Sequence, residues 1–226
     1  MPNLNISAGR DGPVMDFHEW KEDFDLYLGT SWAVTESNSG TRAIAQAKDG
    51  ILVCTPATAD DDNQFLQARD VASGQVAEHW KFVLGKRLYF GIRLKVSDAT
   101  QSDVVAGLQI TDTSPLAVSD GIFFRKDDDA RTIKLVGCKN GVESTIAGVL
   151  GTSGYMTDDT FTVLEFYYDG VTPAIQAYQD GVGFGSIPLT NVVDDEELAV
   201  SFGVQNGSAG AKPLSIDWIR VLQERG

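Results

Sequence analysis

The stretch that decides the fold class is LYFGIRLKV, Leu88–Val96. Every even-numbered position in it is apolar, while the odd positions carry Tyr89, Gly91, Arg93 and Lys95. An extended chain points successive side chains to opposite faces, so a period of two separates an apolar face from a polar one. The stretch is therefore predicted to be a β-strand with one face in a core and the other towards solvent.

The same alternation recurs along the chain. It covers Val104–Ile110 and Leu198–Val204, while Phe161–Tyr168 is apolar on both faces, as in a central strand. Turn signals, in which a residue that tolerates positive φ precedes glycine, separate these runs: Lys48-Asp49-Gly50, Asp120-Gly121, Asn140-Gly141, Asp169-Gly170, Asp180-Gly181 and Asn206-Gly207. Many short strands at this spacing predict an all-β sandwich or barrel.

One segment near the start has helical features. Asp16 and Glu19 have the spacing of a capping box. Aromatic residues then recur at three- and four-residue intervals, at Phe17, Trp20, Phe24 and Tyr27. This spacing predicts the one helix of the chain, although the same aromatics would also fit an irregular first strand.

The chain is predicted to hold one domain, residues 14–226, preceded by an N-terminal arm, residues 1–13. The arm is polar and rich in Asn, Gly and Pro, and no internal linker or repeat follows it. Such an arm orders when it packs against a neighbouring subunit. Its candidate partner contacts are Asn3, Leu4, Ile6 and Arg10.

Composition excludes several classes of protein. Hydrophobic residues make up 42% of the 226 residues, which excludes disorder over the whole chain. The net charge of −14 disfavours nucleic acid and anionic membranes as partners. No run approaches the roughly 20 apolar residues of a membrane span. Residues 1–16 lack the apolar core of a signal peptide, so we expect synthesis in a cytoplasm without export by that route.

The two cysteines, Cys54 and Cys138, lie in apolar, strand-like contexts far apart in the sequence. Zinc sites need closer pairs of ligands, and His18 and His79 add no cluster. The sequence leaves a disulfide open in principle. Two buried, reduced thiols are the expected state of a protein made in a cytoplasm.

Two hairpin-like regions carry a resemblance to a known family. Phe161–Gly170 and Ala174–Gly181 are aromatic-rich runs that each close on Asp-Gly, and Leu198–Gln205 with Leu214–Val221 form a closing pair. Over residues 17–223 this pattern resembles concanavalin A-like sandwiches. The resemblance implies a jelly-roll β-sandwich of two antiparallel sheets with little helix.

The wider pattern is similar to capsid decoration, or cement, proteins of tailed bacteriophages. That resemblance implies a virion structural protein on the capsid surface, made in the host cytoplasm. It would bind the outside of an assembled head through the major capsid protein and stabilise it. It would do so as a homo-oligomer, a dimer or trimer.

The search for catalytic motifs is negative. Retaining glucanases of this fold carry E-x-D-x-x-E on one strand, and the sequence has no such run. It also has neither a G-x-S-x-G elbow nor a P-loop ending. Glu165 is either a buried acid or, more commonly for such a residue, paired with a base or on the wetter strand face. The sequence thus predicts no catalytic residue and a protein that is not an enzyme.

The alternative function is a lectin-like carbohydrate-binding module, with or without calcium. Sugar-stacking candidates are Trp32, Trp80, Trp218 and Tyr178, although a core position is the default interpretation of each. Trp80 and Trp218 alternate with apolar residues, while half exposure is the alternative for Trp32, which follows Thr30-Ser31. Acidic runs suggest calcium, which prefers loop oxygens, against the ordinary interpretation as exposed loop charge. The metal candidates are Asp60, Asp61, Asp62 and Asn63. No cofactor is otherwise expected.

Overall fold

A computed structural model of the protein describes residues 16–45, 50–69 and 78–225. Within these ranges the chain forms fifteen strands and three short 3-10 helices, at Gly29–Ser31, Pro115–Ala117 and Leu189–Asn191. The strands are β1 Phe17–Glu22, β2 Trp32–Glu36, β3 Thr41–Ala45, β4 Ile51–Thr55, β5 Asn63–Ala68, β6 Leu88–Val96, β7 Ser102–Gln109, β8 Gly121–Lys126, β9 Ile133–Lys139, β10 Val142–Ala147, β11 Thr162–Tyr168, β12 Ala174–Gln179, β13 Val182–Pro188, β14 Ala199–Asn206 and β15 Leu214–Glu224.

These strands form two antiparallel sheets. The eight-stranded sheet has the order β13-β12-β11-β6-β15-β4-β3, with β1 also paired to β15. The seven-stranded sheet has the order β10-β9-β8-β7-β14-β5-β2. The predicted all-β class with two antiparallel sheets is confirmed.

The main core fills the space between the sheets. In β6 the even-numbered residues from Leu88 to Val96 are at most 1% exposed, which confirms the period of two. Phe90 stacks on Phe166 of the adjacent β11, with ring centres 5.1 Å apart. Burying a side chain of this size stabilises the fold by about 1.5–3 kcal/mol.

A smaller apolar cluster lies on the opposite face of the seven-stranded sheet. Phe65, Val105 and Phe123 are buried there against Val118, which belongs to the segment between β7 and β8. Gln67 fixes this segment, because its amide donates to Ile110 O at 2.9 Å and accepts from Asp112 N at 3.1 Å. The middle of the outer face of this sheet is thus covered by its own chain.

The helix predicted near the start is wrong, and the alternative of a first strand is right. Residues Phe17–Glu22 form β1, which pairs with β15 from Phe17 opposite Glu224 to Glu22 opposite Ile219. That distant strand satisfies the backbone of β1, which outweighs the local capping pattern. Trp20 packs against the main core from this strand.

The turn signals are confirmed at some positions and wrong at others. Asn140-Gly141 and Asp180-Gly181 both have positive φ at each residue, 51° and 77°, then 49° and 76°, and join adjacent strands tightly. Gly170 also has positive φ, in the longer connection after β11. In contrast, Asp120-Gly121 leads directly into β8, and Asn206 ends β14 without positive φ.

The predicted arm contacts Asn3, Leu4, Ile6 and Arg10 lie outside the described residues, as do Lys48 and Asp49. The division into an arm and one domain stays a prediction. Cys54 and Cys138 are both buried free thiols, on different sheets. No helix in the described ranges is both long and apolar enough to span a bilayer.

Candidate functional site

Glu165 lies in the middle of β11, on the face of the eight-stranded sheet that points away from the core. Its neighbours Leu164 and Phe166 are buried in the core, while Glu165 is half-buried. Tyr89 on β6 donates its hydroxyl hydrogen to Glu165 Oε1 over 2.7 Å. Of the alternatives left open by the sequence, Glu165 therefore takes the wetter face, and its partner is a phenol.

This hydrogen bond depends on a protonated Tyr89. Burial, together with the hydrogen bond to Glu165, raises the pKa of Tyr89 above its ordinary value. The phenol therefore remains a donor throughout the physiological pH range. It holds the Glu165 carboxylate in place while the second carboxylate oxygen has no partner among the described side chains.

Half-buried aromatic rings surround Glu165 on neighbouring strands. Tyr178 of β12 lies directly opposite it, and Trp218 of β15 lies beyond β6 on the other side. We call this set the aromatic platform, made of Tyr89, Phe161, Glu165, Tyr178 and Trp218. All five side chains keep part of their surface exposed.

Glycines allow the platform rings to lie close to the sheet. A Cβ on Gly91 would overlap the Tyr89 hydroxyl and lie 3.2 Å from Trp218 Cζ3, so both rings lean over its bare backbone. At Gly183 a Cβ would lie 3.5 Å from Tyr178 Cε1, which is ordinary contact. The Tyr89 and Trp218 rings consequently fill the space that a side chain would take at Gly91, and both keep part of their surface exposed.

Trp218 reaches the platform through a β-bulge. The register between β15 and β6 shifts between Ile216 and Trp218, so Asp217 is an extra residue. A bulge reverses the side-chain alternation after it. The prediction of Trp218 as a core residue is therefore wrong. Trp32 and Trp80 are buried, at 4% and 3% exposed, as the default interpretation predicts.

The basic side chains that border the platform form ion pairs with acidic side chains. Arg93 forms an ion pair with Asp217, and its guanidinium carbon lies 4.4 Å from the centre of the Phe161 ring. Arg220 pairs with Glu19 at 2.8 Å. These contacts neutralise the cations and fix the Phe161 ring by a cation–π interaction.

A cavity of about 210 Å³ adjoins the platform. Phe161 belongs to both, since it lines the cavity and contacts Arg93 on the platform side. The cavity lies between the Asp180-Gly181 turn and the segment that precedes β11, and hydroxyl-bearing side chains dominate its lining.

Two of the four predicted metal-binding residues, Asp61 and Asp62, accept hydrogen bonds from groups within the protein. Asp62 is 3% exposed and accepts hydrogen bonds from Ala59 N at 2.8 Å and Asn38 Nδ2 at 2.5 Å. Asp61 has φ of 62° and accepts from Gln205 at 2.8 Å. Asp60 is exposed, and Asn63 begins β5.

These four residues do not converge on a metal position. Across residues 16–45, 50–69 and 78–225, no group of three or more His, Cys, Asp or Glu is placed to hold a metal ion. Of the other acidic runs, Asp127 pairs with Arg125 and Lys134, and Asp158 pairs with Arg131. Calcium binding by Asp60, Asp61, Asp62 and Asn63 stays a prediction.

Sequence reasoning named three of the five platform residues, Glu165, Tyr178 and Trp218, and missed two. Tyr178 was a stacking candidate and Glu165 a candidate acid, but Tyr89 and Phe161 carried no assignment. The signal for Tyr89 was its odd-numbered place in Leu88–Val96, on the wet face of the strand. What the sequence lacked was the cross-strand register that puts Tyr89 beside Glu165.

Several solved structures share this architecture. The β-glucanase of Bacillus licheniformis has a TM-score of 0.59 at 13% identity, over 90% of this chain and 97% of its own. The catalytic domain of an endo-1,3-β-glucanase (laminarinase) from Thermotoga petrophila has a TM-score of 0.63 at 13% identity, over 94% and 100%. The carbohydrate recognition domain of Emp46p, in its potassium-bound form, has a TM-score of 0.60 at 8% identity, over 88% and 93%.

No protein-family model and no curated protein matches the chain. The prediction that the chain is not an enzyme is wrong. It was drawn from the lack of known catalytic motifs, yet glucanases adopt the same architecture over nearly their whole length. At 8–13% identity the likeness shows the fold alone. The chain folds as a concanavalin A-like jelly roll.

Proposed function

We propose that this protein binds neutral carbohydrate on the aromatic platform. The observation that carries the proposal is the set of half-buried rings of Tyr89, Tyr178 and Trp218 around the Glu165 carboxylate, on an outward sheet face. Aromatic rings offer flat apolar surface for the C–H faces of a sugar, and a fixed carboxylate accepts hydrogen bonds from its hydroxyls. Because Gly91 has no side chain, the Tyr89 and Trp218 rings lie close together over its backbone.

The similar structures support this proposal and suggest the first ligands to test. Two are named as glucanases and one as a carbohydrate recognition domain. Soluble β-1,3-glucan and mixed-linkage β-1,3-1,4-glucan are therefore the first probes. The net charge of −14 disfavours anionic polysaccharides, and polygalacturonate serves as the anionic comparison.

The test is isothermal titration of the full chain with these polysaccharides. Trp218→Ala and Tyr178→Ala remove stacking surface, so each is expected to weaken binding at least tenfold. Tyr178→Phe is the matched control, because it keeps the ring, and it is expected to bind within about twofold of the parent. Parallel assays of reducing-end release measure hydrolysis of the same glucans, and a chelator arm measures any dependence on metal.

A flat titration with every glucan, followed by a negative glycan array, would contradict the proposal. Equal binding by Trp218→Ala and the parent would place the ligand elsewhere on the protein. Docking on a phage head, with the major capsid protein as partner and a dimer or trimer as the binding form, stays a prediction. Sedimentation with purified particles tests it separately.

A further inference from the structure

The cavity beside the platform has a wall that is fixed by one buried side chain. The Gln179 amide oxygen accepts hydrogen bonds from Gly154 N at 2.5 Å and Tyr155 N at 3.0 Å. Its amide nitrogen donates to Tyr155 O at 2.5 Å and Thr162 Oγ1 at 2.8 Å. All four hydrogen-bonding positions of this side chain are used, so the segment around Tyr155 is held against the sheet without a ligand.

The floor of the cavity is also fixed. Asp180 accepts hydrogen bonds from Val163 N at 2.8 Å and Thr162 Oγ1 at 3.0 Å, which tie the turn after β12 to β11. Phe161 precedes β11 and is held by Arg93 on the platform side. The cavity is therefore preformed, and a ligand entering it has little ordering cost to overcome.

The chemistry of the lining suits a neutral polyol. Its hydroxyl and aromatic side chains include Thr152, Ser153, Tyr155, Thr157, Thr160 and Phe161. Hydroxyls both donate and accept hydrogen bonds, as sugar hydroxyls do. Among the described lining residues the one ionisable carboxylate is Asp180 and none is basic, so an anionic ligand would meet only negative charge.

The size of the cavity limits the ligand. Its volume of about 210 Å³ is below the roughly 300–1,000 Å³ of pockets that hold drug-sized molecules. A single sugar ring is of the right order, and a branched or disaccharide unit is too large to be enclosed. Phe161 lines the cavity and also contacts Arg93 on the platform side, so it is the residue that the two surfaces share.

We propose that the cavity receives the terminal neutral monosaccharide of a glycan whose preceding units lie on the aromatic platform. This inference rests on the carbohydrate-binding function proposed above and narrows it to recognition of chain ends. In this proposal the platform supplies binding affinity for the glycan, and the cavity determines which terminal sugar is accepted.

The test fills the cavity. Thr157 is an exposed lining residue, so Thr157→Tyr places a ring in the opening without disturbing the core. The matched control is Thr190→Tyr, at an exposed position in the Leu189–Asn191 turn that does not line the cavity. Thr152→Tyr is a second blocking variant, in case Thr157→Tyr fails to fold as judged by its amide spectrum.

Each variant is titrated with glucose, galactose, mannose and N-acetylneuraminic acid, followed by the amide shifts of the full chain in two-dimensional NMR. We expect at least one neutral hexose to shift the amides of residues 152–162 in the parent and in Thr190→Tyr. Binding by either blocking variant should be at least tenfold weaker, and the anionic sugar should cause no shift.

Failure of this inference and failure of the proposed function give different results. No shift by any neutral hexose, or equal binding by the blocked and control variants, overturns the cavity assignment. If polysaccharide binding is then still lost in Trp218→Ala, the platform function stands without the cavity. If the parent binds no polysaccharide but takes up a hexose that Thr157→Tyr excludes, the platform assignment is wrong and the cavity is a monosaccharide site alone.

Discussion

The hydroxyl of Tyr89 lies 2.7 Å from Oε1 of Glu165, across two adjacent strands and on the side of the sheet away from the core. Neither side chain belongs to the main apolar cluster. The bond fixes a carboxylate and an aromatic ring relative to each other where the ring is open to solvent. Fixed polar groups beside aromatic rings are a feature of ligand sites, and for that reason the proposed carbohydrate site is centred on this pair.

Removing that hydroxyl should affect both stability and binding. Tyr89→Phe leaves Glu165 without its donor, and we expect a loss of about 1 kcal/mol in the free energy of unfolding, measured with urea. Glucan affinity should fall several-fold because the carboxylate is no longer oriented. Tyr167→Phe is the control on the same sheet face, since it also removes a phenol hydroxyl but not the one that donates to Glu165. Equal losses in the two variants would argue against a special role for Tyr89.

Gly91 should be more sensitive to alanine than Gly183. An added methyl at Gly91 overlaps the Tyr89 hydroxyl and crowds Trp218, whereas at Gly183 it makes ordinary contact with Tyr178. Gly91→Ala is therefore expected to lift two platform rings and weaken glucan binding about tenfold in calorimetric titrations. Gly183→Ala should bind within about twofold of the parent. The reverse ranking would mean that the rings over Gly91 do not form the binding surface.

Lys126 should give stability an unusual pH dependence. Its ammonium is buried and donates to the backbone carbonyls of Ser102, Asp127 and Ala130. Burial lowers the pKa of Lys126 to about 8, against the opposite pull of Asp103. Between that value and the ordinary 10.5, the unfolded chain binds more protons than the folded one, so this group makes stability rise with pH.

The measurement compares the parent with Lys126→Met by urea unfolding from pH 7 to pH 10.5. The parent should gain stability relative to the variant above about pH 8, with a slope of at most about 1.4 kcal/mol per pH unit. Other titrating groups are common to both proteins and cancel in the difference. A difference that stays constant over this range would show that Lys126 does not titrate there.

The two thiols should not react with a thiol reagent while the protein is folded. Cys54 is fully buried, and burial raises its pKa to about 12, while burial also raises the pKa of Cys138. A thiol reacts as its thiolate, so we expect no reaction with Ellman's reagent over minutes at pH 8. In denaturant, two thiols per chain should react. Rapid labelling of the native protein would indicate opening of the strands that cover them.

The period of two was sufficient to predict β6 and β14, because each buries one complete face against the core. The alternation failed where local spacing was ambiguous. Phe17, Trp20 and Phe24 have helical spacing, yet Phe17–Glu22 is a strand. It is a strand because it pairs with β15, which lies some 200 positions further along the sequence. No local pattern contains that pairing.

The aromatic platform was likewise only partly predictable from local alternation. That Glu165 and Tyr89 lie on wet strand faces follows from alternation, whereas their contact follows from register between distant strands. The alternation of apolar residues could not show which sheet face Trp218 takes, since the extra residue Asp217 reverses the pattern after the bulge. The cavity was unpredictable for another reason: its wall is irregular chain, held by Gln179 rather than by periodic packing.

The position of β15 has a consequence for how the protein is made. It is the last strand along the described chain, yet it lies between β6 and β4 in the interior of its sheet and also holds β1. While the ribosome still covers residues 214–224, β1, β4 and β6 have emerged without their common partner. Until residues 214–224 are synthesised, the strand edges that pair with β15 stay open, and unpaired strand edges of this kind favour aggregation of a nascent chain.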